Sequence, residues 1–127
     1  MPEGKDQTFR DSFTNMERMV KMLYDNGIPI VAGTDGLAGF GLHRELELYV
    51  QAGIPAPEVL RIATLGAATV MHRADRFGSV APGKLADLII VDGDPTTNIS
   101  DVRNVRTVVK NGNVFDAKEV AAAIGVH

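Results

Sequence analysis

Asp35 is the residue of this sequence best placed to do chemistry. It follows a short apolar run, residues 28–32, and lies within a glycine-rich loop, residues 33–41. A carboxylate at the carboxyl end of a buried strand can bind a metal ion or accept a proton, because that edge of α/β sheets and barrels carries the active site. Asp35-Gly36 is also an ordinary turn dipeptide. The local sequence therefore leaves two interpretations open, a functional carboxylate and a simple turn.

Other reactive side chains are few and scattered. The three histidines are His43, His72 and His127, and the chain has no cysteine. Histidines spaced in this way do not form a transition-metal site of the usual three or four ligands within one chain. His43 stands at the start of a predicted helix beside the loop, where it could face a pocket or simply be solvated. The loop lacks the Gly-Lys-Ser/Thr sequence of phosphate-binding loops, and Asp35 would repel a phosphate.

The charge balance excludes two classes of partner. The 127 residues carry 13 basic and 16 acidic side chains, a net charge of −3. Nucleic acids and anionic membranes are bound through clustered positive charge, so we expect neither as a partner. Apolar runs are far shorter than the ~20 residues that span a bilayer. With no cysteine and a polar first segment, we expect a cytoplasmic protein.

The sequence of the first part of the chain predicts three helices and one strand. Apolar spacing indicates a helix from about residue 9, with Thr8 or Thr14 as its cap, that ends at Gly27. Residues 28–32 are typical of a strand buried on both faces. A second helix is predicted over residues 42–52, and a third runs from Pro57 to about residue 71.

The second part predicts strands and turns. Its predicted elements are a strand at 88–91, an alternating strand at 102–110, an Asn111-Gly112 hairpin turn, a return strand at 113–115 and a helix at 118–124 capped by Asp116. Asn-Gly strongly favours a hairpin because both turn positions need a positive φ.

Several motifs occur in an order that is far more specific than any one of them. They are NGIPIVAGTD at 26–35, HRELELYVQAG at 43–53, ATLGAA at 63–68, GSVAPGKLADLIIV at 78–91 and the hairpin around KNG at 110–112. Together they resemble the amidohydrolase superfamily, in its imidazolonepropionase and Xaa-Pro dipeptidase-like branch. The likeness covers about residues 13–116.

The resemblance implies an α/β fold. Residues 1–76 correspond to the last βα portion of a (β/α)8 metal-dependent hydrolase barrel, with helix, eighth strand and two helices. Residues 77–116 correspond to part of the small β-sandwich domain, and residues 117–127 to a short C-terminal helix. A complete barrel needs about 200 residues or more, so we expect this chain to be the C-terminal portion of such a protein.

The resemblance also implies a function, the hydrolysis of C–N bonds in small-molecule amides or dipeptides. Asp35 corresponds to the metal-binding aspartate after strand eight. In such enzymes zinc or another divalent ion lowers the pKa of water and polarises the carbonyl, and the aspartate passes the proton of water to the leaving nitrogen. His43, Gly36 and Leu37 correspond to positions that contact substrate.

This sequence lacks several residues of the family pattern, and their absence leads to an alternative function. The His-x-His pair, the bridging Lys or Glu and the two later histidines of the family do not occur here, so we expect that this chain alone does not bind zinc. Sheet edges left without partners favour association, which predicts a homo-oligomer or a complementing N-terminal chain. The alternative function is a catalytically incomplete protein that acts only as a structural or self-association module.

Overall fold

A computed structural model describes residues 5–36 and 41–125 of the chain. Its first element is a long helix, α1 (Lys5–Asp25). The helix begins earlier than the apolar spacing predicts, and Asp6 in its first turn forms an ion pair of 2.9 Å with Arg10. It ends as predicted, because Gly27 adopts a φ of 68° and Ile28 N–H donates to the Leu23 carbonyl at 3.0 Å. This Schellman arrangement satisfies the last carbonyls of the helix.

Residues 28–32 do not form the predicted strand, and residues 33 and 34 also lie outside regular secondary structure. No strand among the described residues pairs with them, so the prediction of a strand buried on both faces is wrong for this chain. Ile30 and Ala32 pack against the core, whereas Ile28 and Val31 are 49% and 44% exposed. The segment is therefore covered on one side only, because a strand needs a neighbour and the described chain offers none.

Three helical stretches build the core. The helix α2 (Gly41–Gln51) is closed by Gly53, which lies two residues beyond its end and has a φ of 99°. The next stretch is α3 (Ala56–Arg61), a π turn (Ile62–Gly66) and α4 (Ala67–Val70). Pro57 lies in the first turn of α3 as predicted, but the single predicted helix to residue 71 is interrupted by the wider π turn.

The core crosses the boundary predicted at residue 76. Its buried side chains are Leu46, Tyr49, Ile54, Val59, Ile62, Ile99 and Val102. Ile99 and Val102 belong to a 3₁₀ helix (Ile99–Arg103) that precedes the hairpin. The predicted strand at 102–110 therefore begins later, at Val105, because Val102 points into the helical core. The division into 1–76, 77–116 and 117–127 stays a prediction.

The sheet consists of three antiparallel strands in the order β1-β2-β3. They are β1 (Leu88–Val91), β2 (Val105–Lys110) and β3 (Asn113–Asp116). The turn between β2 and β3 is confirmed, since Asn111 and Gly112 have φ values of 51° and 80°, as a type I′ turn requires. Asp87 supports the turn by accepting from Asn111 N–H at 2.7 Å and pairing with Lys110.

The last element is α5 (Ala117–Ala123), and its predicted cap is confirmed. The Asp116 carboxylate accepts from Lys118 N–H at 2.8 Å, which satisfies a donor that the helix leaves free. Among the described residues, no helix is both long enough and apolar enough to cross a membrane.

Candidate functional site

Asp35 lies in an exposed bend directly after the segment 28–34. The sequence predicts Asp35 at the carboxyl end of a buried strand, but the segment before it is not a strand among the described residues. A bend is what the turn interpretation of Asp35-Gly36 predicts. A functional carboxylate can lie in the same bend, so the geometry does not decide between the two interpretations. The metal-binding and catalytic role of Asp35 stays a prediction.

The residues around Asp35 are tied to the start of α2. Gly36 N–H donates to the Thr34 hydroxyl at 3.1 Å. The Thr34 side chain also lies against Gly41, where an added Cβ would be only 2.2 Å from its hydroxyl oxygen. Glycine is thus required at position 41 because the Thr34 side chain lies so close to it, not because the backbone has a positive φ. Gly36 is exposed in the bend, and Leu37 lies outside the described residues.

His43 lies near two charged side chains, Arg103 and Glu47. It is half-buried on α2, and burial and then the positive charge of Arg103 lower the pKa of His43, while Glu47 acts in the opposite direction. No hydrogen bond or ion pair between described residues joins His43 to Asp35. The structure therefore does not bring the two predicted site residues into contact, and substrate binding by His43 stays a prediction.

A polar cluster that the sequence did not predict lies beside His43. Glu47 on α2 pairs with Arg103 of the 3₁₀ helix through two hydrogen bonds, of 2.7 and 3.0 Å. Ser100 Oγ donates to the same carboxylate at 3.0 Å. The hydrogen bond from Arg103 is the main cause that lowers the pKa of Glu47 from its ordinary 4.5 to about 2, against the opposing effect of burial. No feature of the sequence indicates that Glu47 and Arg103, which are 56 positions apart, lie in contact.

We expect Glu47→Gln to lower the free energy of unfolding at pH 7 by about 1–2 kcal/mol, because the change breaks a bidentate charged pair that is only partly solvated. The folded-state pKa lies below the ordinary value, so the contribution of Glu47 is present above pH 4.5 and is lost as the pH falls towards 2. Urea denaturation of both proteins across this range measures it.

Glu58→Gln is the matched control for Glu47→Gln. Glu58 pairs with Arg61 at 2.8 Å within one helix, and both side chains are well exposed. Exposed pairs of this kind contribute little, so we expect a change of at most about 0.5 kcal/mol. A Glu47→Gln effect that matches the control, or that does not change with pH, contradicts the stabilising role of the Glu47–Arg103 pair.

The described residues do not complete a metal site. They contain no group of three or more His, Cys, Asp or Glu side chains close enough to hold an ion. A catalytic zinc ion needs about three protein ligands, and Asp35 is a single carboxylate. The donor set described here therefore does not fit a resident catalytic metal by itself.

The chain matches the model of the amidohydrolase family over residues 12–115. It is 32% identical over 98 residues to the imidazolonepropionase of Caldanaerobacter subterraneus subsp. tengcongensis, covering 71% of this chain and 24% of that protein. It is 38% identical over 86 residues to the 5-methylthioadenosine/S-adenosylhomocysteine deaminase of Syntrophobacter fumaroxidans, covering 58% of this chain and 19% of that protein.

Among solved structures, it is similar to a Xaa-Pro dipeptidase crystallised with bound methionine. The identity is 33% and the TM-score 0.73, over 82% of this chain and 25% of that one. The chain thus spans a quarter or less of the length of these relatives. The match extends over most of the chain, in both the helical part and the hairpin, and the chain belongs to the amidohydrolase family.

Proposed function

We propose that this chain is the Asp35-bearing part of a metal-dependent hydrolase that cleaves C–N bonds in small molecules. The observation that carries the proposal is the family match over residues 12–115, which includes Asp35 and the hairpin. Relatives named as an imidazolonepropionase, a deaminase and a Xaa-Pro dipeptidase act on C–N bonds. Cyclic amides, acylated amino acids, proline dipeptides and amino-substituted purines are therefore the substrate classes to test.

Asp35 is the residue to which we assign the proton chemistry. A carboxylate at this place can accept a proton from an attacking water and deliver it to the leaving nitrogen. Asp35 is exposed in the bend, where a substrate or an ion can reach its carboxylate. We assign substrate contacts to His43, Gly36 and Leu37, in agreement with the resemblance, and a cytoplasmic location remains part of the proposal.

The remaining parts of the site must come from protein beyond the described residues. The family uses a divalent metal ion, and Asp35 can supply one ligand, whereas the other ligands are not among the described side chains. The large apolar side chains of Ile28 and Val31 are 49% and 44% exposed, which supports a position of this segment against further protein. We therefore propose that the segment 28–34 pairs as the eighth strand of a (β/α)8 barrel once that protein supplies neighbouring strands, and that the hairpin belongs to the β-sandwich domain.

A second candidate function is a module that associates with itself or with a complementing chain. Large apolar side chains on α1 and the sheet favour it, since Phe9 and Val114 are each 71% exposed and Ile89 is 52% exposed. Exposed apolar surface of this extent marks interaction sites. The outer edges of β1 and β3, which pair with no other described strand, offer hydrogen-bonding groups in the same region.

One experiment separates the two candidates. The purified chain, alone and together with an N-terminal protein that supplies the missing ligands, is assayed by mass spectrometry for hydrolysis of the four substrate classes, with Zn²⁺ or Mn²⁺ added and then removed by a chelator, while sedimentation gives its oligomeric state. We expect no hydrolysis by the chain alone, because its described residues offer too few ligands, and hydrolysis that the chelator abolishes when the complementing protein is present. A complemented chain that hydrolyses none of the substrates contradicts the enzyme proposal and leaves the association module.

A further inference from the structure

The segment that leads to Asp35 is held by few contacts. Among the described residues, one hydrogen bond reaches the main chain of residues 29–33, the bond from the Tyr49 hydroxyl to the Val31 carbonyl at 3.2 Å. Ile30 and Ala32 add apolar contacts with the core. Apolar contacts limit the distance of the segment from the core, but they do not fix its position along its own axis, since they are not directional. The hydroxyl bond is directional.

Tyr49 is rigidly placed. It belongs to α2, its side chain is only 9% exposed, and it packs within the core beside Leu46 and Ile54. Burial, followed by the hydrogen bond with Glu45, raises the pKa of Tyr49. The hydroxyl therefore keeps its hydrogen at neutral pH and remains a donor.

Two acceptors share this one hydrogen. Glu45 Oε1 lies 2.6 Å from the Tyr49 hydroxyl oxygen, whereas the Val31 carbonyl oxygen lies 3.2 Å from it. A carboxylate is the stronger acceptor, so Glu45 competes with Val31 for the donor. Removing the charge of Glu45 should direct the hydroxyl more fully to Val31.

A second contact with α2 follows three residues later along the chain. The Thr34 side chain packs against Gly41 at the first residue of α2 and accepts from Gly36 N–H. The residues immediately before and around Asp35 are thus held at two points, both by the same helix. The Thr34 contact fixes the bend, and the Tyr49 bond fixes the segment that enters it.

We propose that Tyr49 is a positioning residue for Asp35, because its hydroxyl holds the Val31 carbonyl and thereby sets where the segment presents the carboxylate. This inference rests on the proposed role of Asp35 in hydrolysis. Tyr49 touches neither substrate nor Asp35 in this assignment, and it acts through the backbone of residues 31–34.

Tyr49→Phe tests the inference, because it removes the hydroxyl and keeps the ring in the core. The measurement is ¹⁵N relaxation by NMR on the whole chain. We expect the order parameters of residues 31–35 to fall from about 0.85 to about 0.6 or below, while those of α2 and β2 stay near 0.85. The Val31 carbonyl ¹³C resonance should shift upfield at the same time, as the hydrogen bond is lost.

Two further variants control the result. Tyr24→Phe removes the other tyrosine hydroxyl of the chain, from a ring that lines the same cavity as Ile28, Pro29 and Ile30, and we expect no change at residues 31–35. Glu45→Gln keeps the Tyr49 hydroxyl and weakens its competing acceptor, so the Val31 ¹³C resonance should move downfield, opposite to the effect of Tyr49→Phe.

The inference is overturned if Tyr49→Phe leaves the order parameters of residues 31–35 unchanged, or if it lowers those of α2 and β2 equally, as a loss of general stability does. The positioning role of Tyr49 and the proposed function of Asp35 can be contradicted independently, because order parameters do not depend on catalysis. If Asp35→Asn leaves hydrolysis intact, the proposed function is wrong, and the NMR result still decides whether Tyr49 holds the segment.

Discussion

Asp35→Asn is expected to lower the rate of metal-dependent C–N hydrolysis by about 10²- to 10⁴-fold, the range of a positioned general acid or base. The asparagine amide has nearly the same shape as the carboxylate, but it cannot take a proton from water. It also brings no negative charge to a cation. The measurement is the steady-state rate of the complemented chain with the best substrate of the panel, together with metal content by mass spectrometry.

Asp75→Asn is the matched control for Asp35→Asn. Asp75 is another exposed aspartate in a turn, and it lies beyond α4, away from the bend at 35–36. The same loss of charge there should change the rate by less than about twofold. If Asp35→Asn and Asp75→Asn hydrolyse the substrate equally well, Asp35 is only a turn residue. The other interpretation of Asp35-Gly36 then holds.

Ile54→Ala is expected to lower the free energy of unfolding by about 2–5 kcal/mol, the usual cost of deleting a fully buried aliphatic side chain. Ile54 is 1% exposed and packs with Val59, which is 0% exposed. The cavity would open where α2 and α3 meet the 3₁₀ helix, so both halves of the chain lose packing. Since small domains are stable by about 5–15 kcal/mol, the change removes a large share of the total.

Urea denaturation monitored by circular dichroism measures this effect, and Ile124→Ala provides the control. Ile124 follows α5 and is 71% exposed, so its truncation should change the free energy of unfolding by at most about 0.5 kcal/mol. Similar effects of the two substitutions would mean that the helical core described here does not carry the stability of the chain.

Features fixed by local chemistry could be predicted from the sequence. The end of α1 depends on Gly27, the hairpin turn on Asn111 and Gly112, and the start of α5 on Asp116. Each of these requires only a backbone conformation or a bond within a few residues. The position of Asp35 at the end of the segment 28–34 belongs to the same class, because it follows from the order of residues along the chain.

Features that depend on distant residues could not be predicted. The apolar composition of residues 28–32 indicates burial, but a strand forms only beside a partner, and none is present among the described residues. The Glu47–Arg103 pair joins residues far apart in the sequence. The Tyr49–Val31 bond depends on how α2 packs against the segment. The proposed function of Asp35 depends in the same way on groups outside this segment.

The two polar contacts of α2 restrain how that helix can turn about its axis. Glu47 and Tyr49 are two residues apart, which is about 200° around an α-helix, so Arg103 and Val31 hold it from opposite sides. A rotation of the helix in either direction moves both side chains away from their partners. Substitutions near Arg103 should therefore alter how α2 holds the Asp35 segment, and selection on one surface of α2 would limit the changes that the opposite surface can accept.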